Sequence, residues 1–236
     1  MNELLWLVMM LVNFAGIISL YYLMGKKGLY IWVGFAIVLA NIQVLKTIEL
    51  FGFTTTLGNV IYGTTFLATD IMSELYGYKE AKKAVWVGFY TMIFTTVIMG
   101  LCLLFVPSPY DIGQESLLTI FGFMPRIAAG SLLAYFLSNH FDVWAYHRIK
   151  RKYGKKHQIW IRNNGSTMIS QAIDTVVVTS VMFIGVYEWP VWWSVLFATY
   201  IMKWVVAVAD TPFVYLARRI YEKKEGKNEI SKGVST

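Results

Sequence analysis

Leu57-Gly-Asn-Val-Ile-Tyr-Gly-Thr-Thr-Phe-Leu-Ala-Thr-Asp70-Ile-Met-Ser-Glu74-Leu-Tyr-Gly-Tyr78 decides the fold of this 236-residue chain. The run is apolar enough to cross ~30 Å of hydrocarbon as a helix, which takes about 20 mostly apolar residues, yet it holds two acids one helical turn apart. Acids at membrane depth are costly and mark transport or proton sites more often than scaffolding. Six further runs meet the same length requirement: residues 4–24, 29–47, 84–106, 118–139, 167–187 and 191–217.

Composition agrees with a bilayer as the solvent. Hydrophobic residues make up 57% of the chain and charged ones only 15%, against roughly 45–50% and about 25% in soluble domains. Sustained period-two alternation is missing, which argues against a barrel. Helices are the remaining way to satisfy backbone amides in lipid. The expected fold class is therefore all-α: a polytopic membrane helix bundle of about seven transmembrane helices. Residues 1–218 form one integral membrane domain, and 219–236 a polar cytoplasmic tail that frays beyond the last helix.

Basic residues give an independent check on the count. Eighteen of the 21 Lys and Arg residues follow the first, third, fifth and seventh runs, and the intervening loops carry acids such as Glu49, Asp111, Glu115 and Glu188. By the positive-inside rule the amino terminus lies outside and the carboxyl terminus in the cytoplasm of a bacterial-type cell (inner) membrane. The net charge of +7 thus sits beside helix ends, where anionic headgroups attract it, and does not point to nucleic acid. Residues 4–24 open with Asn2 and Glu3 and lack a small-x-small cleavage site, so they read as a retained helix and not a signal peptide. Cys102 is the only cysteine, which excludes intrachain disulfides and cysteine-based metal sites; no metal or cofactor is expected. Residues 141–165 read as the longest and most basic inner loop, and 107–115, with Pro107 and Pro109, as a turn-rich outer connection.

The polar residues inside the runs are the candidate site. Asp70 lies roughly 20 Å from the outer end of its helix at 1.5 Å per residue, in the inner half of the bilayer, and Glu74 follows on the same face. Thr167, Ser170, Gln171 and Asp174 form one helical stripe that must face protein or water. Lys203 and Asp210 share a face two turns apart, so Lys203 has Asp70 or Asp174 as candidate partners, and Pro212 follows in the same run. Asn41, Gln43 and Lys46 step toward the outer end of the second run. Arg126 lies in the outer half of the fifth and, being always charged, needs an acid, carbonyls or a substrate. Trp189, Trp192 and Trp193 read as an outer interfacial belt. Catalysis is not expected: His140, His147 and His157 fall at or within the basic inner region, and Gly130-Ser131 lacks the context of a rhomboid-like protease.

Several of these residues form a familiar pattern. Phe66-Leu-Ala-Thr-Asp70-Ile-Met-Ser-Glu74-Leu-Tyr-Gly77-Tyr-Lys79-Glu-Ala-Lys-Lys83 resembles the signature of the queuosine precursor transporter family, also described as vitamin-uptake-like transporters. Asn41-Ile-Gln-Val-Leu-Lys46, Pro125-Arg126-Ile-Ala with Ser131, Asp142-Val-Trp, Trp160-Ile-Arg162-Asn163-Asn164 with Ser166-Thr167, Ser170-Gln171 with Asp174-Thr175, and Lys203 extend the resemblance from about residue 31 to 217. The resemblance implies uptake of a 7-deazaguanine base (7-cyano- or 7-aminomethyl-7-deazaguanine, or queuine) for tRNA queuosine salvage. It also implies a six-helix core, here 29–217, similar to the substrate-binding subunits of energy-coupling-factor importers, to which 4–24 adds a helix.

A guanine-like edge presents two adjacent N–H donors, which one carboxylate accepts side by side, next to a carbonyl that wants a donor. Asp70, Glu74 and Asp174 are candidates for the first role, and Asn41, Gln171, Lys46, Arg126 and Lys203 for the second; Gln43 and Asn163 complete the candidate set. The partners expected are a small-molecule deazaguanine substrate and the lipid bilayer, with a homodimer or an energy-coupling partner left open; Ala36 and Ala40 form a small-xxx-small pair that suits either a partner helix or packing within the chain. A transporter of another small polar solute or vitamin is the rival reading, and a non-transport membrane scaffold the weaker one.

Overall fold

The computed structural model describes residues 1–122, 124–183 and 188–233, with the side chains at 47, 53, 54, 56, 124–128, 182, 183, 191, 194 and 225–233 outside the description. Among the described residues there are seven long helices: α1 Asn2–Met24, α2 Lys26–Gln43, α3 Asn59–Leu75, α4 Tyr78–Cys102, α6 Met124–Lys152, α7 Ile159–Phe183 and α8 Trp189–Gly233. A short helix, α5 Gln114–Phe121, precedes α6, and a single 3₁₀ turn, Lys156–Gln158, precedes α7. Between α2 and α3 the strands β1 Thr47–Leu50 and β2 Phe53–Thr56 form an antiparallel hairpin, with Leu50 opposite Phe53.

Two hinges keep the first helices close together. Gly25 alone joins α1 to α2 at φ 58°, and its N–H donates to the Tyr21 carbonyl at 2.8 Å. Gly77 joins α3 to α4 at φ 85°. Positive φ at both positions favours glycine, which has no Cβ to clash. The hairpin is pinned to the start of α1, where Asn2 Nδ2 donates to the Glu49 carbonyl at 3.0 Å.

Helix α3 is the axis of the bundle. Every residue from Gly63 to Glu74 is buried, because α1, α2, α4, α6 and α8 all pack against it. Gly63 lets α8 approach so closely that a Cβ there would sit 2.7 Å from Val206 Cγ1. Polar side chains therefore tolerate α3 only where neighbouring helices supply partners; Trp32, for example, donates to Thr64 Oγ1 at 2.8 Å. Apolar side chains such as Leu4, Phe94, Ile98 and Phe197 are exposed instead, as expected of a surface solvated by lipid. The most apolar helical stretches are Asn2–Met24, Tyr78–Cys102 and Val195–Lys224. The chain is a multi-pass membrane protein.

Several expectations are corrected. The fifth run does not start at 118: residues 118–121 belong to α5, and the long helix begins at Met124. Nor is 141–165 mostly loop, since α6 continues to Lys152 and α7 begins at Ile159. At 29 residues α6 measures roughly 43 Å and outruns the hydrocarbon, and Lys150, Arg151 and Lys152 in its last turn suit the negative end of its dipole. Helix α8 likewise runs unbroken to Gly233, where a frayed tail was expected; Arg218 and Glu222 form an (i, i+4) pair at 3.0 Å along it, the kind that supports an exposed helix. Trp192 does not belong to an interfacial belt: it is 6% exposed and donates to the Thr179 carbonyl at 3.2 Å. Ala36 and Ala40 are buried within the chain, so that pair serves intrachain packing.

Candidate functional site

Helix α7 presents a row of polar side chains that meets partners from α3, α6 and α8 in succession. Arg162, at one end, is fully buried and holds the Glu74 carboxylate with Nε at 2.9 Å and Nη2 at 2.6 Å. The same carboxylate accepts from Tyr146 at 2.9 Å, pairs with Lys150 at 3.1 Å and is bonded by Arg218. Its acceptor capacity is used up.

One rung along, Asn163 donates to Asp210 Oδ1 at 3.0 Å, Thr167 donates to Asp70 Oδ2 at 3.0 Å, and Ser170 donates to Asp142 Oδ1 at 2.8 Å. Asp70, Asp142 and Asp210 are buried, and none of them pairs with a basic residue among the described residues. Gln171 follows one turn after Thr167. It is 1% exposed, yet neither its amide nitrogen nor its amide oxygen has a partner among the described residues. Asp70 Oδ1, Asp142 Oδ2, Asp210 Oδ2 and Asn163 Oδ1 are likewise buried and unpartnered.

The third rung closes the row. Asp174 accepts from Ser138 at 3.2 Å and is bonded by Tyr62 and Lys203. Lys203 also lies over the Tyr62 ring, 5.2 Å from its centre, a cation–π contact. Of the two partners considered for Lys203, the structure selects Asp174.

Buried polar groups in native structures almost always find partners, so a run of unpartnered atoms on facing acids and amides marks a place built for something the chain does not itself supply. The stretch of α7 from Asn163 to Gln171, with Asp210, Asp70 and Asp142 bonded along it, has that character. The rungs on either side, centred on Glu74 and Asp174, are internally satisfied.

The remaining sequence candidates lie elsewhere or are spoken for. Asn41 is buried but turns its amide back to the Ile37 carbonyl at 2.8 Å. Gln43 ends α2 with Oε1 unpartnered. Lys46 is exposed beyond the end of α2. The Arg126 side chain lies outside the described residues. A groove of about 1090 Å³ between α2 and α4, lined by Tyr30, Trp86, Tyr90 and Phe94 among others, touches none of the polar row.

Sequence reasoning did not place Asp142 and Arg162 in this row, reading both as parts of motifs within a basic inner loop. A signal existed. Ser138, Asp142, Tyr146 and Lys150 recur every four residues on α6, and Asn163, Thr167, Ser170 and Asp174 recur every three or four on α7. Ending the fifth run at 139 left Asp142, Tyr146 and Lys150 outside it, and starting the sixth at 167 left out Asn163 and Arg162.

A family model described as "Putative vitamin uptake transporter" matches residues 56–217, which contain all three rungs but for Arg218. A "Probable queuosine precursor transporter" of Bacillus subtilis (strain 168) is 46% identical over 95% of this chain and 98% of its own length. The "Queuosine precursor transporter" of Escherichia coli (strain K12) is 22% identical over 81% of this chain and 86% of its own length. A Haemophilus influenzae relative named "Probable queuosine precursor transporter" is 25% identical over 69% and 66%. No solved structure matches the chain. By the family match and by its identity to the Bacillus protein across nearly the whole chain, this membrane helix bundle belongs to the vitamin-uptake transporter family.

Proposed function

We propose that the protein imports a 7-deazaguanine base, a queuosine precursor, into the cytoplasm, with its amino terminus outside and its carboxyl terminus inside. The names of the relatives support that substrate class, and the alternation of basic loops supports the orientation. One observation carries the reading of the site: Gln171, buried and with both amide atoms unpartnered, lies one turn from the residue that holds Asp70. A carboxylate with a free oxygen beside a free carboxamide complements an edge offering two N–H donors next to a carbonyl. Asp70 accepts the paired donors and the Gln171 amide nitrogen donates to the carbonyl. Glu74 is left out of recognition in this reading, since two arginines, a lysine and a tyrosine already occupy it.

Expression of the protein in cells that cannot make queuosine precursors, followed by feeding of a deazaguanine, is expected to restore queuosine in tRNA. Failure with 7-cyano-7-deazaguanine, 7-aminomethyl-7-deazaguanine and queuine alike, in a well-expressed protein, would shift the reading to another small polar solute.

A further inference from the structure

Asp70, Asp142 and Asp210 are three buried acids along this stretch of α7, while the acids on the flanking rungs both have basic partners. Thr167 and Ser170, three residues apart on α7, hold Asp70 and Asp142 respectively. The oxygen atoms left over along this stretch are acceptors in want of a donor: Asp70 Oδ1, Asp142 Oδ2, Asp210 Oδ2 and Asn163 Oδ1. Asn163 is itself fully buried, and because its amide nitrogen is bonded to Asp210, its free oxygen is fixed beside that acid.

A neutral deazaguanine supplies N–H donors but no charge, and one carboxylate satisfies its paired donors. Even an aminomethyl substituent brings a single positive charge. Either way, acids along this stretch remain uncompensated, and buried charge is tolerated only when it is paired or neutralised. We propose that Asp142 and Asp210 form the coupling site of the transporter and take up a proton that travels inward with each base. The proposal rests on the reading of the protein as a deazaguanine importer. The step forms one O–H bond on a carboxylate from the outer solution and breaks it to the cytoplasmic solution, with no other bond changed. Asp70, held by Thr167, reads the base, and Asp142, held by Ser170 three residues further along α7, takes the proton.

The test uses the purified full chain in proteoliposomes with a radiolabelled deazaguanine. Two modes are compared: exchange of external for internal base without any ion gradient, and accumulation driven by an imposed gradient. Wild type is expected to exchange, to accumulate base under an acid-outside pH gradient, to lose accumulation with a protonophore, and to be indifferent to replacement of sodium by potassium. Asp142→Asn, and separately Asp210→Asn, are expected to keep exchange and to lose gradient-driven accumulation. Accumulation driven by a sodium gradient, or insensitive to the pH gradient in wild type, would overturn the proposal without any variant. Loss of exchange in both variants would make the acids part of base recognition and would also overturn it. Absence of exchange in wild type would instead remove the deazaguanine reading on which the proposal stands.

Discussion

Arg162 and Glu74 meet as a two-pronged ion pair with almost no exposure, Nε at 2.9 Å from one carboxylate oxygen and Nη2 at 2.6 Å from the other. The pair is a junction of four helices, because Tyr146 and Lys150 of α6 and Arg218 of α8 converge on the same carboxylate of α3. Lys150 does a second job there. It donates to the Ser73 and Glu74 carbonyls at 3.2 and 2.9 Å, which belong to the last turn of α3, where no intrahelical N–H is left to bond them. Arg162 in turn ties down the chain that follows α6, donating to the Tyr153 and Lys155 carbonyls at 2.8 and 3.0 Å.

Glu74→Gln is therefore expected to destabilise the fold. It leaves the fully buried Arg162 guanidinium without its countercharge, and breaking one side of a buried pair costs about 3–5 kcal/mol. Arg162→Lys should also destabilise, since an ammonium cannot reproduce the two-pronged geometry. Thermal unfolding in detergent measures both. A Glu74→Gln protein that melts like wild type but no longer binds a deazaguanine would return Glu74 to the recognition site.

Orientation is tested by single-cysteine labelling. Cys102 is the only native cysteine, so Cys102→Ser gives a clean background for Asp111→Cys and Lys155→Cys. An impermeant thiol reagent added to intact cells is expected to label the first and to reach the second only after the membrane is opened. Labelling of position 155 from outside would invert the topology.

Much of the bundle is legible in the sequence, because a bilayer makes polar atoms expensive and leaves long apolar runs as the record of each crossing. The α7 stripe of Thr167, Ser170, Gln171 and Asp174 follows from periodicity alone, and every member but Gln171 is bonded to a neighbouring helix or, like Ser170, to both a neighbour and its own helix. What periodicity does not reveal is which acid meets which base. Asp70 and Glu74 share a face and a chemistry, yet only Glu74 lies level with Arg162, Lys150 and Arg218, and that level is set by how α3, α6, α7 and α8 slide against one another. Hydropathy also fails where helices leave the membrane. The basic ends of α6 and α8 read as loop and tail by composition, although nothing in their residues prevents the helix from continuing.

Gln171→Leu separates recognition from architecture. Gln171 makes no side-chain hydrogen bond within the chain, so replacing it with an apolar group of similar size removes two unsatisfied buried atoms and is expected to leave the melting temperature unchanged or raised. If its amide nitrogen meets the carbonyl of the base, the same change leaves that carbonyl unpaired at a cost of roughly 1–3 kcal/mol, which is about a ten- to hundredfold weaker Kd. Asp70→Asn is expected to weaken binding at least as much, because a carboxamide cannot accept both N–H donors of the paired edge, while its oxygen still accepts from Thr167 and holds α3 to α7. Calorimetric titration of the purified variants with a deazaguanine checks both expectations. A Gln171→Leu protein with wild-type affinity would place the base away from Gln171 and overturn this reading of the recognition site.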